Sequence, residues 1–229
     1  MLAGNINELP VRMRGQQCRR YLSLLHEKKG AFVFKRIFDV CVSAAGLIIL
    51  LPLLCAAAVI VGLTSRGGIF FLQERVGQNL RPFYIIKFRT MKVQKSPEAL
   101  PLTTKNDARI TAVGRILRRL HLDELPQLIN VLRGDMSLVG PRPEVERYVN
   151  HYTDQFLATL LVRPGITCTS SIHFRNENEL LEQSENAEEY YLSHILPVKM
   201  EYNLRYLREI GIWCDLCILY KTAAAVFSR

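Results

Sequence analysis

An uninterrupted apolar run constrains the fold of this chain more than any other feature. Residues 40–64 contain no charged side chain and are rich in Leu, Ile, Val and Ala. A helix of this length is long enough to span the ~30 Å of hydrocarbon in a bilayer. A soluble core helix of such length and uniform apolarity is not expected. The run therefore predicts a membrane-associated segment.

Two features of this run argue against a simple transmembrane span. Pro52 lies at its midpoint, where it removes one backbone donor and clashes with the carbonyl of Ile48. Basic residues flank both ends, Lys35 and Arg36 before and Arg66 after, so the positive-inside rule gives no orientation. Two arms of about 12 residues would each be ~18 Å long, too short to cross. We therefore predict a re-entrant helix–break–helix over residues 37–65 that enters and leaves by one face.

The segment before this run is strongly basic. Residues 1–36 hold eight Lys and Arg against Glu8 and Glu27, within a chain of net charge +9. Apolar residues such as Tyr21 and Leu22 lie between the charges. A basic, partly apolar segment beside a membrane run is typical of one that lies on anionic headgroups. A disordered basic arm over residues 1–15 is the alternative.

The pattern of residues 66–229 predicts a compact domain of the α+β class, mainly α. Residues 69–88 predict a small β-hairpin with Gly77-Gln78-Asn79 at its turn. Residues 92–108 are polar and contain two prolines, which indicates a mobile loop. Helical patterns follow at 148–161, 197–210 and 213–227. On the last of these an apolar face fits a core helix and an interfacial amphipathic helix equally well; it carries Trp213, Leu216, Cys217, Tyr220, Ala224 and Phe227.

Six cysteines are scattered along the chain without the spacing of a disulfide framework, which indicates a reducing compartment. Cys214 and Cys217 have CxxC spacing but no second pair, so two cysteines on one helix face is the better interpretation. No recognised nucleic-acid motif accompanies the basic charge, so nucleic acid is not an expected partner.

Residues 121–144 carry the strongest chemical signal. Asp123 and Glu124 are adjacent carboxylates that precede Pro126 and an apolar repeat closed by Gly134. This pattern predicts a short amphipathic helix with both acids in its first turn. The positive N-terminal end of a helix would keep both carboxylates ionised, as a nucleophile or a metal ligand must be. Taken alone, the same acids are more often capping residues.

A rigid arginine follows in Gly140-Pro141-Arg142-Pro143. Prolines with fixed φ flank Arg142, and a guanidinium held in this way can grip phosphate with two parallel hydrogen bonds. Without further context, such an arginine is more often a turn residue.

The whole string L-D-E-L-P-Q-L-I-N-V-L-R-G-D-M-S-L-V-G-P-R-P-E resembles the signature of the bacterial sugar transferases, the monotopic phosphoglycosyl transferases. K-F-R-T-M at residues 87–91 and S-I-H-F-R-N at 171–176 also resemble strings of this family. The resemblance extends from residue 35 to about residue 226. Leu51, His121 and Cys168 depart from it, where the family commonly has Ser, Ser or Thr, and Gly.

The resemblance implies a re-entrant membrane segment and a specific reaction. Asp123 would take the sugar-phosphate from a UDP-sugar, release UMP and form a covalent phospho-aspartyl-sugar intermediate. A polyprenyl (undecaprenyl) phosphate in the membrane would then attack that intermediate, in the first membrane step of a glycoconjugate pathway. Glu124 would bind Mg²⁺, which suits oxygen ligands and few protein contacts. The expected phosphate- and substrate-binding residues are Lys87, Arg89, Arg118, Pro141, Arg142, Pro143 and Arg175.

The expected location is the cytoplasmic face of the bacterial inner membrane, with residues 1–36 as an interfacial segment, 37–65 in the bilayer and 66–229 as the catalytic domain. The sequence leaves open whether the protein forms a homodimer. Two alternatives also stay open: a basic membrane-tethered binding or scaffold module, and a membrane-bound metal-dependent phosphatase or glycosyltransferase.

Overall fold

A computed structural model describes residues 2–65, 67–92, 107 and 109–227. The helices are α1 (Gln16–Glu27), α2 (Lys29–Thr64), α3 (Ala112–Arg119), α4 (Gln127–Arg133), α5 (Glu146–Val149), α6 (Asp154–Leu157), α7 (Thr169–His173), α8 (Glu177–Glu182), α9 (Ala187–Tyr190), α10 (Leu196–Glu209) and α11 (Ile212–Phe227). The strands are β1 (Phe70–Val76), β2 (Pro82–Phe88), β3 (Ser137–Val139) and β4 (Gly165–Thr167). A π-helix, Tyr191–Ile195, leads into α10.

The mainly helical α+β class is confirmed, as is the predicted hairpin. β1 and β2 pair antiparallel from Phe70 opposite Phe88 to Val76 opposite Pro82. Their turn places Asn79 and Leu80 at φ of 56° and 61°, the left-handed conformation that asparagine tolerates best. A second small sheet, β3 parallel to β4, was not expected from the sequence because both strands have only three residues.

The apolar run forms one helix, α2, that continues through Pro52. The predicted break at this proline is therefore wrong. The fixed φ of proline is close to the helical value, so only one backbone hydrogen bond has to be given up. Leu51 beside it is 56% exposed and takes no part in an interruption. α2 is long and apolar enough to cross a membrane by length and composition, and only 11% of its most apolar window is buried.

The N-terminal part of α2 is fixed to the globular part of the protein by buried polar contacts. The Lys35 ammonium donates to the Val139 carbonyl oxygen at 2.8 Å and to Asp215 Oδ2 of α11 at 2.5 Å. The Asp39 carboxylate accepts from the backbone N–H of Leu138 at 3.1 Å. This end of the helix is thereby held against β3 and α11.

The C-terminal part of α2 also packs on the globular part. Ala57 and Val61 form a minor core with Phe88 of β2 and Leu117 of α3. Between the two attachments, residues 48–56 are exposed or half-buried, and Ile48 is 73% exposed. Both flanks of the apolar run therefore lie against the globular part of the protein, while the side chains of residues 48–56 stay exposed or half-buried.

The N-terminal segment is built into the main core. Leu9 and Met13 are 1% and 0% exposed, so residues 2–15 are not a disordered arm. The main core also includes Tyr21, Leu22 and Leu25 of α1. These side chains therefore do not make the contacts with lipid headgroups that an interfacial segment would make. The 36/37 boundary falls inside α2, and the division of the chain into three domains stays a prediction.

Two of the three later helical patterns are confirmed, by α10 and α11. The pattern at 148–161 instead forms α5, α6 and a 3₁₀ turn, because Thr153 caps a new start by accepting from the backbone N–H of Phe156. On α11, Trp213 and Tyr220 are 79% and 76% exposed, so the apolar face points outward and is not a core face. The predicted loop lies almost entirely outside the described residues.

The Lys35–Asp215 pair generates a stability prediction. Asp215→Asn leaves a buried ammonium without its charge partner, which costs about 3 kcal/mol and lowers Tm by roughly 6–12 °C. Thermal unfolding in detergent, followed by circular dichroism, measures the change. Glu209→Gln is the matched control, because its pair with Arg205 is exposed (53% and 73%) and contributes little. An Asp215→Asn variant that unfolds with the control would contradict the prediction.

Candidate active site

The adjacent acids lie in a 3₁₀ turn, Leu122–Glu124, that precedes α4. The predicted helix is confirmed only from Gln127, with Pro126 as its N-cap and Gly134 at φ 94° as its C-cap. The acids are thus outside the helix proper. His121 begins the turn at φ 55° and is exposed, so its side chain does not shield the dyad from solvent.

Glu124 is the centre of the site because two cations converge on one of its oxygens. Lys87 of β2 donates to Glu124 Oε1 at 2.6 Å, and Arg142 donates to the same oxygen at 2.7 Å. The three residues, here called the clamp, come from the hairpin, the turn before α4 and the segment after β3. The exposed fraction of the side chain is 18% for Lys87, 35% for Arg142 and 20% for Glu124. The clamp is therefore shielded but reachable from solvent.

The clamp decides the protonation of Glu124. Burial alone would raise its pKa, but the charges of Arg142 and Lys87 and their hydrogen bonds outweigh burial and hold the pKa well below its ordinary value. The predicted ionised state of Glu124 is confirmed, although paired cations rather than a helix end produce it.

Asp123 has the opposite shift. The residue is 9% exposed, and burial together with the neighbouring Glu124 charge raises its pKa above the ordinary value. Lys87, Arg118 and His121 oppose this rise through their charge. The expectation that a helix terminus would favour ionisation of Asp123 is not met, because the carboxylate is desolvated beside a second negative charge.

Arg118 is held near Asp123 by Thr90. Its Nε donates to Thr90 Oγ1 at 2.8 Å, and its charge acts on Asp123. Thr90 itself is buried. The structure thus brings Arg118 to the dyad, as the five-residue spacing indicated.

The segment that carries Arg142 is fixed by close backbone contact with β4. Gly165 donates its N–H to the Pro141 carbonyl oxygen at 2.9 Å, and Gly140 donates to the Thr167 carbonyl oxygen at 3.1 Å. A Cβ on Gly165 would lie 2.1 Å from the Gly140 nitrogen, so this approach requires glycine. Pro141 and Pro143 therefore act here as parts of a rigid support for Arg142.

Two predicted site residues lie apart from the clamp. Arg89 donates to the carbonyl oxygens of Gly68 and Phe70 at 3.1 and 3.0 Å, and its guanidinium lies 5.7 Å from the Phe71 ring centre. Arg175 is exposed just after α7. The structure does not join either residue to Glu124, and their roles in substrate binding stay predictions.

Cys168 does not require the left-handed conformation that a glycine at this position suggested. Its φ is −158°, which any residue adopts, and its Sγ accepts from the backbone N–H of Ser171 at 3.4 Å to begin α7. The cysteine therefore causes no backbone strain.

Several residues of the site were missed by sequence reasoning. Arg75 donates to the Pro143 carbonyl oxygen at 3.1 Å, and Tyr191 donates to Glu144 Oε1 at 2.7 Å. Glu144 was present as the last letter of the G-P-R-P-E string, but nothing in the sequence distinguished it from a surface acid. Thr90 was likewise part of K-F-R-T-M without a signal of its own.

The donor set fits a magnesium ion better than a metal that needs a full protein cage. No group of three or more His, Cys, Asp or Glu side chains is placed to hold a metal within the residues that the structure describes. Within the described residues, the hydrogen bonds that the Glu124 side chain accepts all end at Oε1, which leaves Oε2 available as one carboxylate ligand. Mg²⁺ is commonly held by one or two carboxylates, water and substrate phosphates.

The site thus consists of a carboxylate dyad with Lys87, Arg118 and Arg142 around it. The chain belongs to the bacterial sugar transferase family, whose sequence model matches residues 30–229.

The relatives found for this chain include two named sugar-phosphate transferases and an exopolysaccharide production protein. The UDP-glucose:undecaprenyl-phosphate glucose-1-phosphate transferase of Klebsiella pneumoniae is 40% identical over 194 residues, 83% of this chain and 39% of that protein. The UDP-N-acetylgalactosamine-undecaprenyl-phosphate N-acetylgalactosaminephosphotransferase of Aeromonas hydrophila is 33% identical over 90% of this chain and 46% of that protein. The exopolysaccharide production protein ExoY of Rhizobium meliloti is 34% identical over 84% of each chain. The chain thus spans less than half the length of the first two relatives.

The opposite pKa shifts of the dyad predict opposite effects on stability. The folded-state pKa of Asp123 lies above its ordinary 3.8, so ionised Asp123 destabilises the fold above that folded pKa, and the penalty shrinks as pH falls towards 3.8. The folded-state pKa of Glu124 lies below its ordinary 4.5, so its carboxylate stabilises the fold above pH 4.5 and loses this effect only as pH falls through the depressed value.

At pH 8, Asp123→Asn should therefore raise Tm by a few degrees and Glu124→Gln should lower it. Thermal unfolding of both variants and the parent between pH 4 and 8 measures this, and the gain from Asp123→Asn should narrow as pH falls towards 3.8. A loss of stability in both variants at pH 8 would show that the dyad carboxylates do not differ as described.

Proposed function

We propose that this protein transfers a sugar-1-phosphate from a UDP-sugar to a membrane polyprenyl phosphate, the undecaprenyl phosphate of its relatives, and releases UMP. The observation that carries the proposal is the division of labour in the dyad. Glu124 is engaged by Lys87 and Arg142, whereas the charges around Asp123 act on it without a hydrogen bond to its carboxylate among the described residues. One acid is thus committed to the cations and its neighbour is left to react.

Asp123 is the proposed nucleophile. Its carboxylate oxygen attacks the phosphorus that carries the sugar, the bond to the bridging oxygen breaks, and UMP leaves with that electron pair. An oxygen of the polyprenyl phosphate then attacks the same phosphorus, and the Asp123 carboxylate leaves unchanged. The product is a polyprenyl-diphosphate-sugar. Burial of Asp123 strengthens it as a nucleophile by removing water from the charged form.

The cations make attack by an anion on an anion feasible. Lys87, Arg118 and Arg142 stand around the dyad and balance the charge of the diphosphate. Glu124 would hold Mg²⁺ through its remaining oxygen, and the ion would neutralise phosphate charge. When the diphosphate arrives, it competes with Glu124 for Arg142.

We also propose that the protein is monotopic, on the cytoplasmic face of the bacterial inner membrane. A helix crossing the bilayer would bring only one end to a catalytic domain on one side. Here both flanks of the apolar run contact that domain: Lys35 bonds Asp215, and Val61 packs on Phe88. The exposed middle of α2 and the outward Trp213 face of α11 supply apolar surface for the bilayer. A membrane-bound acceptor explains why the site is tied to this surface.

Two other classes of function make different products. A phosphatase would release phosphate and a glycosyltransferase would release UDP, whereas a scaffold module would release neither. UDP-glucose and UDP-N-acetylgalactosamine, the donors named for the relatives, are the first to be screened for UMP release.

The covalent step predicts a burst without acceptor. Enzyme in detergent with Mg²⁺ and a UDP-sugar alone should release about one UMP per active site and gain the mass of one sugar-phosphate on Asp123. Asp123→Asn keeps the side-chain shape and loses the attacking charge, so it should bind the donor and release no UMP. Quenched-flow UMP measurement and intact-protein mass spectrometry provide the readouts.

Glu209→Gln, which alters an exposed carboxylate outside the dyad and is expected to leave stability unchanged, is the control and should release UMP like the parent. Strict dependence of UMP release on polyprenyl phosphate would favour direct transfer in a ternary complex. Release of UDP or phosphate would instead select one of the alternative enzymes.

The monotopic arrangement predicts the location of both ends of the chain. In a cysteine-free background, Asn5→Cys and Lys221→Cys should both resist an impermeant thiol reagent in intact cells and react after permeabilisation. Labelling of the position-5 cysteine alone in intact cells would show a transmembrane span instead.

A further inference from the structure

We propose that Glu144 is a positioning residue for Arg142 and is itself held in place by a buried network that extends to Glu177. This inference rests on the proposed function, because it concerns how the phosphate-binding guanidinium is aimed. The network consists of Arg75, Glu144, Tyr191, Lys199 and Glu177.

Glu144 lies two residues after Arg142 and is only 7% exposed. Its Oε1 accepts from the Tyr191 hydroxyl at 2.7 Å, and its Oε2 lies 3.7 Å from Arg75 Nη1. Its backbone oxygen accepts from the N–H of Val76 at 2.9 Å. Both the side chain and the main chain of Glu144 are thereby fixed to β1 and to the π-helix.

Arg75 joins the network to the segment that carries Arg142. Its Nη1 donates to the Pro143 carbonyl oxygen at 3.1 Å while facing Glu144, and Gln73 Oε1 accepts from its Nε and Nη2 at 3.3 and 2.9 Å. The main chain on the other side of Arg142 is fixed by the Gly165-to-Pro141 hydrogen bond. The backbone of Arg142 is therefore held from both sides, and its side chain reaches Glu124 from a fixed origin.

The far end of the network is equally constrained. Tyr191 is 1% exposed and opens the π-helix, an element that often marks functional sites. Lys199, 6% exposed, has its ammonium 3.4 Å from the Tyr191 hydroxyl, 4.8 Å from that ring centre and 2.7 Å from Glu177. Glu177 is the first of six glutamates within residues 177–189, so the network ends at an acidic segment of the chain.

Apolar side chains could fill this space without the cost of burying charges. A polar network adds direction, because each hydrogen bond fixes an angle as well as a distance. The directed groups converge on Pro143 and Glu144, and these follow Arg142 directly. This placement of the network serves to aim the Arg142 guanidinium at the donor diphosphate.

The test compares two tyrosines that lie side by side. Tyr191→Phe removes the hydroxyl that donates to Glu144 and keeps the ring. Tyr148→Phe is the matched control, because its ring centre is 4.8 Å from that of Tyr191 and its buried hydroxyl has no hydrogen-bond partner in the described part of the chain. Steady-state UMP release with the best UDP-sugar of the screen gives KM and kcat for the full chain in detergent. KM does not depend on the fraction of enzyme that is folded.

Tyr191→Phe should raise KM for the UDP-sugar about fivefold, whereas Tyr148→Phe should leave KM unchanged. In an Arg142→Lys background, Tyr191→Phe should add no further rise, because both changes act through one group. Glu144→Gln, which keeps the shape of the side chain, should raise KM at least as much as Tyr191→Phe and respond to the background in the same way.

Equal KM values for Tyr191→Phe and Tyr148→Phe would overturn the proposal, as would an additive rise in the Arg142→Lys background. Either result would leave the proposed function intact, since the parent would still release UMP. Absence of UMP release by the parent enzyme with every UDP-sugar would instead overturn the proposed function.

Discussion

One carboxylate oxygen organises this molecule. Glu124 Oε1 accepts hydrogen bonds from Lys87 and Arg142, which are separated from it by 37 and 18 residues along the chain. The hairpin, the turn before α4 and the segment after β3 meet at that atom. The same convergence gives the adjacent acids opposite pKa shifts, because the cations bond one carboxylate and act on the other only at a distance. Two adjacent carboxylates are thereby given different electrostatic settings by three residues.

The destabilising effect of the site is confined to one carboxylate, Asp123. Burial and the neighbouring Glu124 charge raise the pKa of Asp123, and the fold tolerates this because the clamp beside it is satisfied. The main core is far larger than the clamp and includes the N-terminal residues Leu9 and Met13. The basic segment before the membrane helix is therefore part of the body that supports the site.

The sequence predicted those features whose residues lie close together along the chain. Adjacent acids, an arginine between prolines and a strand–turn–strand pattern are each readable within a few residues, and the structure places Glu124, Lys87, Arg118 and Arg142 together. Partners distant in sequence were not readable: Arg75 looks like any strand arginine, and Tyr191 like any apolar helix residue. The break at Pro52 was wrong because one lost hydrogen bond does not end a helix, and the pattern at 148–161 hid the cap at Thr153. Whether Arg175 and Arg89 bind substrate depends on a ligand rather than on the fold.

The alternation of β2 links the chemistry to the membrane helix. Lys87 reaches Glu124, while the next residue, Phe88, packs with Val61 of α2 in the minor core. Successive side chains of a strand point to opposite faces, so one peptide unit separates the side chain that reaches the clamp from the side chain that packs on α2. A slip of one residue in this strand would exchange the two, placing an ammonium in the minor core and a ring in the clamp. In the proposed monotopic arrangement, the length of the hairpin therefore sets the distance between the bilayer and the phosphate that reacts.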